Sequence, residues 1–194
     1  MYSGCREHVA ALRTRGLNFT GTLGAVARRY GRATAERVAA RVEGEAGELL
    51  RQRAFATTRW YSVEWYDRLL EAIELELPNE PDVCREISRA GATEDLNTIF
   101  KAISFVASPD FALVNATRVA SMYFDGGRIS VLDARPGRIH FRFEAFHGFT
   151  RRLWADFVGG MEAVIDLLKL ERLPTEVVLD ADTTRCEVVI RYAR

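Results

Sequence analysis

Apolar residues recur every three to four positions up to Asp125 and every second position over much of the remainder, a pattern that predicts helices followed by a small sheet. The clearest helix begins within TTRWYSVEWYDRLLEA, residues 57–72. There Trp65, Tyr66, Leu69, Leu70, Ile73 and Leu77 form one stripe, opposite Glu64, Arg68, Glu71 and Glu74. Ser62 is placed to accept a hydrogen bond from a free first-turn amide, and Pro78, which has no N–H, to stop the helix. Tyr61 before that cap and Tyr66 at the fourth helical position have the spacing of a hydrophobic staple.

Upstream, residues 22–30 and 34–42 are Ala-rich helical stretches parted by Gly31, and Gly44 and Gly47 predict a looser segment after them. Beyond the turn PNEP a helix runs from about Asp82, with AGATEDL as a candidate break, and NTIFKAISFVA then turns Leu96, Ile99, Phe100, Ile103 and Val106 inward. Ser108 and Pro109 restart a helix that Asp125, Gly126 and Gly127 end. RISVLDA and RIHFRFEAF alternate with period two around Arg135, Pro136 and Gly137, an antiparallel hairpin. Residues 150–170 return to helix, with Leu153, Trp154, Phe157, Val158, Met161, Val164, Ile165 and Leu168 on a broad apolar face. Its Gly159–Gly160 pair predicts a kink or a close approach to the sheet. TEVVLDA and CEVVIRYA form a second hairpin through Asp182, Thr183 and Thr184. The expected fold class is α+β: an N-terminal helical layer packed on a small four-stranded antiparallel sheet made of two hairpins with one inserted helix, ββαββ. One domain is expected over residues 1–194, with 1–15 flexible, 16–125 helical and 126–194 forming the sheet part.

Composition narrows the function classes. With 194 residues, 48% of them hydrophobic, the chain can bury a sizeable core. Its 27 basic and 27 acidic groups leave no net charge to attract nucleic acid or an anionic membrane, so neither partner is expected. The balance is uneven along the chain: residues 1–60 carry 11 basic and 5 acidic groups, a sum of +6, and residues 61–110 carry 4 and 11, a sum of −7. Two oppositely charged surfaces of one domain, or pairing between molecules, would both produce this. Charges among the first eight residues and the lack of any 18-residue apolar run point to a cytoplasmic protein without a membrane span. Cys5, Cys84 and Cys186 are odd in number and far apart, which predicts reduced thiols and no metal site.

Catalytic signatures are missing. No Gly-x-Ser-x-Gly elbow and no recognisable pairing of a nucleophile with a base occurs, so the chain is not expected to be an enzyme. GTLG at 21–24 opens a helix without the preceding strand or following lysine of a phosphate loop, and Asp180 with Asp182 read as solvated turn acids.

The segments WYSVEWYDRLLEA, YFDGG, ISVLDARPG, FVGGMEAV and CEVVIRYA resemble a paralogous family of myxobacterial proteins, over nearly the whole chain from about Gly16. The layout is also similar to the wider ligand-binding fold of haem-based nitric-oxide sensors, 4-vinyl reductase domains and the small subunits of the TRAPP tethering complex. That resemblance implies helices on a short antiparallel sheet enclosing a buried apolar ligand. The axial histidine and the Tyr-x-Ser-x-Arg motif of the haem sensors have no counterpart: residues 109–124 contain no histidine, and His8, His140 and His147 lie elsewhere. Haem is therefore not expected, nor is any other cofactor.

The remaining candidates are aromatic. Trp60, Tyr61, Trp65, Tyr66, Phe100, Phe105, Tyr123 and Trp154 fall on helices or helix entries facing the sheet, where they either fill a core or line an incompletely filled cavity. Trp60, Tyr61, Trp65, Tyr66, Phe100, Tyr123 and Trp154 are the candidate ligand-binding residues, with Trp60, outside the helical stripe, at the rim. The expected function is a non-enzymatic sensor or regulatory domain that binds a small hydrophobic ligand or a partner protein and works through a protein contact or self-association, homodimerisation included. The alternative is an assembly module with a filled core.

Overall fold

The computed structural model describes residues 11–100 and 122–193, with backbone only for 94–100. Strand β1 (Arg13–Arg15) leads into α1 (Gly16–Tyr30), α2 (Arg32–Arg41) and α3 (Gly44–Gln52), then β2 (Trp60–Ser62), α4 (Val63–Glu76) and α5 (Val83–Phe100). After Phe124 come the hairpin β3 (Arg128–Arg135) and β4 (Arg138–Glu144), α6 (Arg151–Leu167), and the hairpin β5 (Glu171–Leu179) and β6 (Cys186–Ala193).

The mixed helix-and-sheet architecture is present, but there are two antiparallel sheets where one was expected: four strands in the order β3-β4-β6-β5, and a separate pair, β1-β2. The pair escapes sequence reading because RTR and WYS are each three residues long, too short to display a period. β1 uses the last three residues of the stretch expected to be flexible, and it is held from both sides: Arg15 pairs with Trp60, and Thr14 bridges to Phe124.

Helix α6 is central. It covers the inner face of the sheet, where Ile139, Phe141 and Phe143 of β4 and Cys186, Val188 and Ile190 of β6 are buried, and its other side packs along α5. The Gly159–Gly160 pair answers to that second contact. A Cβ on Gly159 would lie 2.1 Å from the Arg85 carbonyl oxygen, so the close approach is to helix α5 and not to the sheet. Helix α5 itself runs unbroken through AGATEDL. Phe105 and the helical restart at Ser108 and Pro109 lie outside the described residues.

Ser62 caps α4, its hydroxyl accepting from the Glu64 amide at 3.2 Å. Tyr61 packs on Trp65, ring centroids 6.2 Å apart, while Phe19 of α1 meets both Tyr61 and Tyr66 edge-on at 5.8 and 5.3 Å. The staple is thus completed through α1. Gly44 and Gly47 belong to a regular helix: a Cβ at Gly47 would stand 1.7 Å from the Val42 carbonyl oxygen, so glycine permits the tight α2–α3 corner. The uneven charge along the chain is partly neutralised within the molecule, since Arg37 and Arg41 of α2 grip the two oxygens of Glu76 at the end of α4 at 2.5 and 2.8 Å.

Gly159→Ala should therefore lower unfolding free energy by about 1–3 kcal/mol, because backbone must move to admit one methyl group. Gly24→Ala, where a Cβ meets only the end of the flexible Arg28 side chain at 3.2 Å, should raise it by about 0.5–1 kcal/mol through helix propensity. Urea unfolding of both variants checks the pair, and a Gly159→Ala protein as stable as the parent would refute the close helix contact.

Candidate functional site

Helices α1, α2 and α3 enclose a groove of about 540 Å³. That is within the roughly 300–1,000 Å³ of small-molecule sites. Its floor is apolar, built from Phe19, Ala35, Ala39, Leu50 and Phe55, all buried, with Leu23, Ala27 and Leu49 on the walls. Phe19 and Phe55 lie flat against each other there, centroids 4.0 Å apart. At Gly24 the wall lacks a side chain, and Arg32, Glu36, Arg51 and Arg53 stand at the rim. Both features are local: α1 turns Phe19, Leu23 and Ala27 to one side at helical spacing, and α3 carries Arg51 in its last turn and Arg53 as its cap.

Three of the sequence-derived candidates meet at a different place. Trp60, Tyr61 and Trp65, with Leu49, Ala54, Ala56 and Arg59, line a recess of about 310 Å³ behind α3. Trp60 is half-buried and covered by the Arg15 guanidinium, 3.7 Å above its ring. The Tyr61 hydroxyl accepts from the Ala56 amide at 3.0 Å. The other candidates are dispersed. Trp154 is buried among Phe143, Phe146, Phe149 and Phe157, and its indole N–H donates to the Thr183 carbonyl at 2.8 Å. Tyr123, next to the buried Phe124, is partly buried against the core. The Phe100 side chain lies outside the described residues.

Tyr66 belongs to a buried polar chain that sequence periodicity did not reveal. The Thr22 hydroxyl of α1 lies 2.7 Å from the Tyr66 oxygen of α4, and the Tyr66 hydroxyl donates to Asp156 Oδ1 of α6 at 2.9 Å. Ser88 of α5 also bonds Asp156, so one side chain from each of four helices meets here. Burial pushes the Asp156 carboxyl up to about 7 against the pull of the Tyr66 and Ser88 hydroxyls. Burial, reinforced by Asp156, raises Tyr66 well above its ordinary value. Asp156 lies off the apolar face of α6, on the side of Gly159 and Ala163 that packs along α5, so in the sequence it reads as an ordinary polar position of an amphipathic helix.

A second buried acid stands nearby on α6. Glu162 receives Arg85 through two guanidinium nitrogens at 2.9 and 2.5 Å and the Thr175 hydroxyl at 2.6 Å. Burial pushes this carboxyl up, but Arg85, Thr175 and Arg172 more than offset it, and its pKa falls below the usual range. Two acids six residues apart on one helix are therefore set in opposite directions by their surroundings.

No protein-family model matches the chain, and no curated protein is similar to it in sequence. Its fold is that of solved H-NOX proteins. The Fe(II) unliganded H-NOX protein from K. algicida is 14% identical with a TM-score of 0.66, covering 93% of this chain and 97% of its own. An H-NOX protein from S. oneidensis in the Fe(II) state is 13% identical with a TM-score of 0.68, covering 93% and 96%. A third structure, 13% identical with a TM-score of 0.64 and covering 91% and 99%, concerns haem redox potential modulated by protein-induced porphyrin distortion.

These neighbours correct the expectation that set haem aside, which rested on motifs alone, whereas the fold is one in which haem is bound. The residues described do not themselves build a haem site. His140 is on the outer sheet face with Nε2 2.9 Å from Glu187, and His147 is in the loop after β4; neither lines a recess given above. Cys84 and Cys186 are buried thiols, both raised chiefly by desolvation, Cys186 to about 12. Among the described residues no cluster of three or more His, Cys, Asp or Glu could hold a metal ion, and no helix is long and apolar enough to cross a membrane.

Asp156 gives this region a pH signature. Its pKa rises on folding from about 3.9 to about 7, so the folded state holds the proton more tightly. The stability this confers is present in acid and is lost as pH climbs from about 4 through about 7. Asp156→Asn keeps an acceptor for Tyr66 and cannot ionise. Its stability relative to the parent should grow by a few kcal/mol, to order of magnitude, between about pH 5 and about pH 8. Chemical denaturation across that range reads this directly, and parallel profiles would show that Asp156 does not titrate there.

Proposed function

We propose that this chain is a non-enzymatic, cytoplasmic sensor or regulatory domain that binds a small apolar ligand in the α1–α2–α3 groove and passes the signal on through contact with a protein partner or a second copy. The observation that carries the reading is the groove: an apolar floor ending in a stacked Phe19–Phe55 pair, open where Gly24 lacks a side chain. The fold supports it, since its solved neighbours include H-NOX proteins in Fe(II) unliganded and Fe(II)NO states and a structure concerned with haem redox potential. The segments quoted from the sequence support a place in the paralogous myxobacterial family that they resemble.

Helix α1 supplies the route from ligand to partner. Phe19 and Leu23 reach the groove, and Thr22, between them, holds the buried chain to Tyr66 and Asp156. A ligand that shifts α1 acts on four helices at once. The assembly-module reading differs in one respect: it requires a groove that stays empty of small molecules.

Gly24→Leu fills the groove with a side chain that suits a helix and leaves the buried chain untouched. Native mass spectrometry and an absorption spectrum of the purified protein should show a co-purifying small molecule in the parent and its loss in Gly24→Leu, with circular dichroism unchanged. A haem absorption band equally strong in both proteins would place the ligand elsewhere, and no bound molecule in either would favour the assembly module.

A further inference from the structure

We propose that the ligand of the α1–α2–α3 groove is an apolar carboxylate with a single hydrophobic body, its acid group held at the rim by Arg53 with Arg51 beside it. This rests on the reading of the groove as a ligand site and adds the chemistry of the ligand's polar end.

The rim is unbalanced in charge. It carries Arg32, Arg51 and Arg53 against Glu36, three positive groups and one negative, a sum of +2. Glu36 is already engaged by Arg32, whose Nε lies 2.8 Å from its Oε1. Among the described residues Arg51 reaches only neutral acceptors, its Nη1 donating to the carbonyls of Ala39 and Val42 at 3.4 and 3.2 Å, so its position is fixed while no carboxylate there answers its charge. Arg53 has no carboxylate partner among the described residues. This contrasts with most arginines of the molecule: those on α2, α5, β3, β4 and β6 stand within reach of a carboxylate.

Arg53 is also held in place. It ends α3 in the left-handed region, φ 54, and its amide donates back to the carbonyls of Leu49 and Leu50. The side chain therefore leaves the helix at the groove mouth. Both arginines lie at the C-terminal end of α3, where the helix dipole is negative and favours a cation. That accounts for a basic residue in the last turn, and the groove beside it accounts for what the outward charge meets. An apolar body on Phe19, Leu23 and Leu50 gains about 0.8 kcal/mol per buried methylene, and a carboxylate suits the planar guanidinium fork. A neutral alcohol of the same length would gain the first term and forgo the second.

The test uses the full chain and two named probes, decanoate and 1-decanol, titrated calorimetrically at low and at physiological salt. Decanoate should bind at least about tenfold more tightly than decanol, as one charge-assisted hydrogen bond implies. Salt should narrow that gap because the rim is exposed. Arg53→Gln, an exposed position whose backbone contacts are kept, should lower decanoate affinity by about tenfold and leave decanol unchanged. Equal binding of acid and alcohol would overturn the carboxylate assignment while leaving the groove as the ligand site. Binding of neither probe would overturn both. Association with anionic phospholipid vesicles, without uptake of free decanoate, would replace the free acid with a membrane lipid and so overturn this proposal as well.

Discussion

Four helices of this protein share one buried hydrogen-bonded chain. Thr22, Tyr66, Asp156 and Ser88 come from α1, α4, α6 and α5, and each hydroxyl ends on or leads toward a single carboxyl that burial pushes up to about 7. An unmet polar group at this depth costs about 1–3 kcal/mol, more if charged, so the four helices can approach only in the arrangement that satisfies all of them. That constraint fixes how α1 is rotated. With Thr22 turned to the core, Phe19 and Leu23 fall beside α2 and α3, and the groove exists because α3 closes over them only in part.

The sheet side obeys a different rule. Phe143, Phe146, Phe149, Trp154 and Phe157 fill the space between α6 and the strands with edge-on and tilted rings whose centroids are 5.1 to 6.3 Å apart at most contacts. Helix α6 is thus the spine: aromatic packing on one side, Asp156 and Glu162 with their partners on the other, and Gly159 letting α5 come to backbone contact between those acids. Apolar packing and buried polar contacts occupy separate faces of one helix, so α1 and the sheet are linked through α6.

Much of the fold was legible because its elements are long. The capped helix after Ser62, both hairpins and the inserted helix carry six or more patterned residues each, and their periods survive noise. The two-stranded sheet was not legible, since RTR and WYS show no period, and only tertiary pairing makes them strands. Gly47 and Gly159 were visible as anomalies, but their causes, a carbonyl oxygen of Val42 and one of Arg85, are contacts that no local pattern specifies. The site was less legible. Trp60, Tyr61 and Trp65 were marked as a cluster and do share a recess, whereas Trp154 and Tyr66 were marked with them and sit in two other environments. Aromatic content shows which side chains are large, but three-dimensional register decides whether a cavity remains beside them. Phe19 precedes the stretch 22–30 that reads as helix, although α1 begins at Gly16, and Leu23 and the helix-ending Arg53 are ordinary features of any amphipathic helix, so no local pattern marks the groove.

The most direct trial of this account is an experimental structure of the protein with whatever it retains through purification. Ligand density against Phe19, Leu23 and Leu50, with its polar end at Arg53, is the predicted result. Density for a retained molecule in another cavity, with only water between α1, α2 and α3, would contradict it.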